Sequence, residues 1–381
     1  MRVLRLASLS VLLAGCATVH MDPFTAAPQR ASLGPEQRML WQSADKQDDA
    51  FRNINADYDD PALQAYVQGI VDRLYPDLKG AMHVQLLKSP VPNAFMMANG
   101  SCYVELGLLP LLQDESSLAM VLSHEGIHFV DQHAVEEHNH AGNVELALGI
   151  AVPIFGPALA RSSIYGYSVQ METEADQVGY QHYLGAGYPA ADAPEPFVAL
   201  DKYSQAMEIK ESYFYADHPK LQDRLAYFRK VSAGAPAGGD SGTARYQAAT
   251  AKARLWVLQE LVTRHDHKAL IFLLEDPARA ALYPDAPYYL ASGYLFRGKD
   301  GDSAKAEDMY RQLIAKDPAF APSYAALGKL LMKRGDAAGA KPLFETYLKL
   351  APDTPDRAYI QFDLQHLTDS PAADHDKEKS P

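Results

Sequence analysis

Chemistry is most legible at His124-Glu125-Gly126-Ile127-His128, inside a stretch that reads as a long helix opening at Asp114-Glu115 and running to about His133. Residues four apart share a helix face, so His124 and His128 can present imidazole nitrogens to one ion. Glu125 is rotated about 100° from His124 and can reach a water on that ion without ligating it. A third ligand separates a metal site from two ordinary helical histidines, because open catalytic zinc sites use three protein ligands and one water. Met171-Glu172-Thr173-Glu174-Ala175-Asp176 provides one. Glu172 and Asp176 again stand four apart, so Glu172 can ligate while Asp176 hydrogen-bonds the far nitrogen of a ligand histidine. Glu174 lies about 200° from Glu172 around such a helix. The remaining histidines of this region, His133, His138 and His140, read as solvated loop residues.

These residues need elements to carry them. Helical patterns begin at Pro35 and after Asp60-Pro61, the second placing Leu63, Tyr66, Val67, Ile70, Val71 and Leu74 on one face. His83–Leu87 and Cys102–Leu106 read as short strands flanking a Pro-rich turn region. The 381 residues carry 35 Lys+Arg against 48 Asp+Glu, a net charge of −13 that repels phosphate backbones and argues against nucleic-acid binding. Two cysteines, Cys16 and Cys102, exclude a disulfide scaffold, and Cys102 reads as a small buried apolar side chain.

Arg2 and Arg5 precede an apolar run, Leu4 to Ala14, too short to span a bilayer. Leu13-Ala14-Gly15-Cys16 resembles the bacterial lipobox, which implies a signal peptide over 1–15, lipidation of Cys16 and a tether over 16–34. Ala17, in place of the aspartate that retains lipoproteins at the inner membrane, resembles an outer-membrane address. The apolar run 146–160 carries Pro153 and Pro157 and is too short to span; it reads as a buried helical pair or as a lid beside the site. A Gly/Ala/Ser/Pro-rich run at 232–243 reads as a linker. Beyond it Tyr289, Gly293, Ala306, Tyr310 and Pro318 recur as Tyr324, Gly328, Ala340, Phe344 and Pro352, with 35 residues between the glycines and 34 between the prolines. That is the tetratricopeptide period, placing a repeat domain at 244–367, with a degenerate helix pair over 245–283 and a disordered tail at 368–381.

The segment around the two histidines resembles the HtpX/CAAX-prenyl-protease family of gluzincin metallopeptidases. HExxH is followed by E-x-x-A-D at Glu172, Ala175 and Asp176. Tyr58-Asp59-Asp60-Pro61, Asn93-Ala94-Phe95, Gly100, Tyr103-Val104, Gly107-Leu108-Leu109 and Glu115 also match, and His218-Pro219 with Arg224 closes the domain. The resemblance covers about 35–231. It implies a mainly helical fold with a small β-sheet, a gluzincin-like zinc peptidase domain, and then a short α-solenoid of tetratricopeptide repeats. It also implies one Zn2+ held by His124, His128 and Glu172, with Glu125 as the catalytic base and Asp176 behind a ligand. His218 is expected to stabilise an oxyanion, to occupy the open metal position as an inhibitory ligand, or to cap its turn. An extended polypeptide substrate could add to the strand at Asn93, Ala94 and Phe95, or to Tyr103–Leu106. Lipobox, peptidase and repeats together are similar to periplasmic quality-control proteases serving outer-membrane β-barrel assembly. The alternative is an assembly factor that docks on barrel-assembly machinery through its repeats, with proteolysis secondary. Departures are few: Gly126 replaces an apolar residue, and Ala98-Asn99-Gly100 stands where relatives read Pro-Gly-Gly. No multi-span hydrophobic pattern exists, so intramembrane cleavage and prenylated substrates are not expected.

Overall fold

Asp60 caps the helix that Pro61 begins, its Oδ1 accepting from the Leu63 N–H at 3.1 Å. That helix, α2 (Pro61–Leu74), follows α1 (Pro35–Asn53), and its Leu63, Val67, Ile70, Val71 and Leu74 are all buried, as their spacing predicts. The computed structural model describes residues 21–140, 167–209, 221–235 and 238–369. The signal-like segment, Cys16, the apolar run 146–160 and His218 therefore lie outside the described residues.

Three strands follow: β1 (His83–Leu87), β2 (Ala94–Met96) and β3 (Ser101–Glu105), in the order β1-β3-β2. β1 runs parallel to β3 with His83 opposite Ser101, and β2 runs antiparallel to it with Phe95 opposite Tyr103. Two strands were expected; β2 is three residues long, too brief to display a period of two in the sequence. The Ala98-Asn99-Gly100 turn is fastened to α1: the Asn99 side-chain amide donates to Asp45 at 3.0 Å and to Asp48 at 2.8 Å.

The sheet is sandwiched. Phe95, Met97 and Tyr103 face α1 with Phe51 and Ala44. On the other face, Val84, Leu86, Ala94, Met96, Cys102 and Val104 join the main core. After the short α3 (Leu108–Leu111) comes α4 (Glu115–Val130), in which every residue is buried. Asp114 is its N-cap, accepting from the Ser117 N–H at 2.8 Å. The helix stops at Val130, short of His133, because Gln132 takes a left-handed conformation (φ 56°) and α5 (His133–His140) starts afresh. Then come α6 (Val169–Gly185), α7 (Glu195–Ala206) and α8 (Leu221–Ser232).

The repeat side is wholly helical: α9 (Thr243–Thr263), α10 (His267–Leu274), α11 (Pro277–Ala280), α12 (Ala286–Arg297), α13 (Asp302–Lys316), α14 (Ala321–Lys333), α15 (Ala337–Leu350) and α16 (Arg357–Asp369). The apolar core does not stop at the Gly-rich run. It continues through Tyr246, Val257, Leu258, Leu270 and Leu274 to Tyr289, and a second core begins at Ala291 and ends at Ile360. The described end of that run is fastened to the peptidase side: the Ser116 N–H donates to the Ser241 carbonyl at 3.0 Å, and the Asp240 N–H donates to the Gly187 carbonyl at 3.3 Å. Within the stretch expected as a tether, residues from 21 onward also dock. The Phe24 N–H donates to the Val130 carbonyl at 2.8 Å, and Leu33 is buried. Among the described residues, no helix is long and apolar enough to cross a membrane.

Candidate metal centre and active site

Two helices bring the candidate ligands together. His124 and His128 lie one turn apart on α4, and Glu172 sits in the first turn of α6, which packs along α4. The crossing is close because Gly179 has no side chain: a Cβ there would stand 2.8 Å from the Ser123 carbonyl oxygen. Gly126 has a comparable reason. The Tyr75 ring occupies the space a Cβ would need, 2.2 Å from its nearest carbon, and the Tyr75 hydroxyl donates to the Ser123 carbonyl. The space that a side chain at position 126 would need is filled here by an aromatic ring arriving from the end of α2.

His124 Nε2 and His128 Nε2 are 3.2 Å apart, and Glu172 places its two oxygens 3.5 Å from one and 3.5 Å from the other. Two ligands held about 2.0–2.1 Å from a tetrahedral zinc stand about 3.3–3.4 Å from each other, so the three donor atoms suit one such cation. All three residues are buried, as is Glu125 at 2 % exposure. A cation between the two Nε2 atoms requires both to be lone pairs, and the far side of the His124 ring fixes this for His124.

Behind His124, Nδ1 donates to Asp176 Oδ1 at 2.9 Å. Asp176 is itself gripped by Arg224, with Nε at 2.8 Å from Oδ2 and Nη2 at 2.7 Å from Oδ1. Burial alone would raise the Asp176 carboxyl; the Arg224 charge and the His124 bond override it and hold it below the usual carboxylate range. Asp176 stays ionised, accepts only, and so fixes the His124 proton on Nδ1. Arg224 comes from α8, 48 residues away, and lies over the Phe197 ring at 4.6 Å. A cleft of about 220 Å³ opens beside Glu172 and Asp176, lined also by Gln177, Arg224 and Tyr227.

Behind His128 stands His133, fully buried, with the two Nδ1 atoms 2.9 Å apart. Tyr167 stacks on the His128 ring at 4.0 Å. The expectation that His133 is a solvated loop histidine is thus corrected, because the left-handed Gln132 folds the chain back under α4. No periodicity signals that turn. The role of Arg224 was equally hidden, since its partner is remote in sequence.

The sheet settles which strand has a free edge. β3 is paired on both sides, so the expectation that Tyr103–Leu106 receives a substrate strand is corrected. β2 is an edge. The Glu105 N–H donates to the Asn93 carbonyl at 2.9 Å and the Met97 N–H to the Ser101 carbonyl at 2.9 Å, so the odd-numbered residues of this strand bond to β3. The backbone groups of Ala94 and Met96 consequently point away from it. The Asn93 side chain is committed inward, donating to Glu105 Oε1 at 3.0 Å, and the Phe95 ring stacks on Tyr103 at 4.9 Å. Cys102 is buried and its thiol is pushed up by burial, which makes it inert.

A mainly helical fold with a three-stranded sheet, a buried HExxH helix and a carboxylate supplied by the next long helix defines a metallopeptidase domain. Residues 57–232 match the model of peptidase family M48, and residues 299–361 match that of the tetratricopeptide repeat. The chain carries an M48 peptidase domain followed by a repeat region. It is 28% identical over 212 residues to the mitochondrial metalloendopeptidase OMA1 of Schizosaccharomyces pombe, covering 51% of this chain and 60% of that protein. It is 25% identical over 228 residues to the β-barrel assembly-enhancing protease of Escherichia coli K12, covering 54% of this chain and 45% of that protein. The match thus spans only about half the length of these curated relatives.

Proposed function

We propose that this chain is a zinc-dependent endopeptidase of the periplasm, anchored by lipid on Cys16 to the outer membrane, that degrades misfolded or stalled outer-membrane proteins. The observation that supports this reading best is the meeting of His124, His128 and Glu172 with Glu125 beside them, in a domain of family M48. The family likeness to the barrel-assembly protease supports the envelope setting, and the lipobox-like Cys16 supports the anchor.

His124, His128 and Glu172 would hold the ion, which when bound would supply Lewis-acid polarisation of the scissile carbonyl and acidify the attacking water. Glu125 takes the proton of the attacking water and delivers it to the departing amine. Asp176 and Arg224 keep the His124 lone pair aimed at the ion. The outward backbone groups of Ala94 and Met96 pair with an extended substrate, which selects for unfolded backbone rather than for sequence. Three roles stay open for His218, as oxyanion donor, as inhibitory fourth ligand or as the cap of its turn: His218→Ala abolishes turnover in the first case, raises it in the second and leaves it unchanged in the third. The repeats recruit substrate or assembly machinery.

The test is metal analysis of purified protein with casein digestion, with and without a chelator. Glu125→Gln should retain zinc and lose turnover by about 10²–10⁴-fold, the range of a general base. If Glu125→Gln still restores outer-membrane integrity in cells, the assembly-factor reading replaces the protease.

A further inference from the structure

We infer that His133 is the positioning residue for His128, fixing which nitrogen of that ligand faces the metal, and that the neighbouring Asp131, His133 and Glu174 do not form a second metal site. The inference rests on the zinc reading above. His128 turns Nε2 towards His124 and Glu172, so its proton lies on Nδ1. That N–H points at His133 Nδ1, 2.9 Å away, which must accept. A neutral imidazole that accepts at one nitrogen carries its proton on the other. His133 Nε2–H therefore faces Glu174 Oε2, 3.6 Å away, with Asp131 in the same cluster. The order of groups is ligand histidine, histidine, carboxylate, parallel to His124, Asp176 and Arg224 on the other ligand.

Asp131, His133 and Glu174 bring one donor atom each within 4.8 Å of one another, which by itself has the composition of a metal site. The proton positions exclude it once the first site is filled. A cation on His133 Nε2 would force the proton to Nδ1, and two N–H groups would then confront each other across 2.9 Å. The two sites cannot both be occupied without ejecting one imidazole from its place.

Zinc affinity, measured by competition with a chromophoric chelator, tests this together with zinc stoichiometry and the melting temperature of the metal-free protein. His133→Asn puts an amide oxygen where Nδ1 stood and should bind zinc within about threefold of wild type. His133→Leu should bind about 10–100-fold more weakly, the usual cost of removing an outer partner of a metal ligand. His133→Gln, whose amide lies one bond too far out, should also bind more weakly than His133→Asn, and it decides the matter if His133→Leu does not fold. A merely structural histidine would lower the metal-free melting temperature of all three variants while leaving their zinc affinities equal, and that outcome overturns the inference. Two zinc ions per wild-type chain would overturn it as well. A wild-type chain that binds no zinc would instead sink the metallopeptidase reading itself.

Discussion

Arg245, in the first turn of α9, lays its guanidinium on Glu115, the first residue of the helix that carries both histidines: Nε lies 2.6 Å from Oε2 and Nη2 lies 2.8 Å from Oε1. Tyr66 and Tyr188 also donate to Glu115, at 2.7 and 2.8 Å, and Arg73 completes the set. The repeat side is thereby bonded to the N-terminus of the metal-binding helix, where a carboxylate also favours the helix dipole.

Burial would raise the Glu115 carboxyl, but the arginines and tyrosines override it and hold it at about 2. A carboxylate depressed in the folded state contributes stability above its ordinary pKa and loses that contribution as pH falls towards its folded value. Glu115→Gln should cost on the order of 2 kcal/mol at pH 6, discounted for the partly exposed arginines, and much less at pH 3. Urea unfolding at both pH values measures the gap; a gap of constant size would refute the ionised-hub account.

Glu105 behaves in the opposite sense. Burial pushes it up to about 7, against hydrogen bonds from Ser89 and Asn93, and its Oε2 has no hydrogen-bond partner among the described residues. A carboxyl raised in the folded state is stabilising below its ordinary pKa, and the contribution is lost as pH rises through 7. Relative to Glu105→Gln, the wild type should lose on the order of 3 kcal/mol between pH 4 and pH 8. Parallel stability curves for the two proteins would contradict this.

Gly179 and Gly69 make a controlled pair. A Cβ at Gly179 meets the backbone of α4, whereas one at Gly69 in α2 meets nothing within 4 Å. Gly179→Ala should cost about 1–3 kcal/mol and weaken metal binding, since α6 carries Glu172. Gly69→Ala should gain about 0.5–1 kcal/mol and leave metal binding alone. Thermal unfolding and chelator competition check both, and equal effects would rule out the close crossing as the cause.

Arg224 neutralises a buried carboxylate. Arg224→Met should destabilise the fold by about 3–5 kcal/mol, because Asp176 is left as a charge without its cation. Zinc affinity should fall by about 10–100-fold. Arg224→Lys restores a charge without the fork that grips both oxygens, so its rescue should be partial. Unchanged affinity in Arg224→Met would show that Asp176 orients His124 without help.

Local regularities were legible in the sequence. The buried face of α2, the Asp114 cap and the 34-residue period of the repeats rest on spacing along one element, and spacing within an element needs no knowledge of its neighbours. The pairing of His124 with His128, and of Glu172 with Asp176, is of this kind. The three-residue β2 was too short to carry a pattern, and the core running through α9 into α12 was masked by a Gly-rich run that looks like a boundary.

What only the tertiary structure decided is which remote groups stand behind the metal ligands. Nothing local ties Asp176 to Arg224 or His128 to His133, since one partner arrives on a separate helix and the other after a left-handed turn at Gln132. A hydrogen bond is made over about 3 Å, while the chain between its ends is free to take many courses. Composition therefore names the donors and acceptors, and packing selects which of them meet.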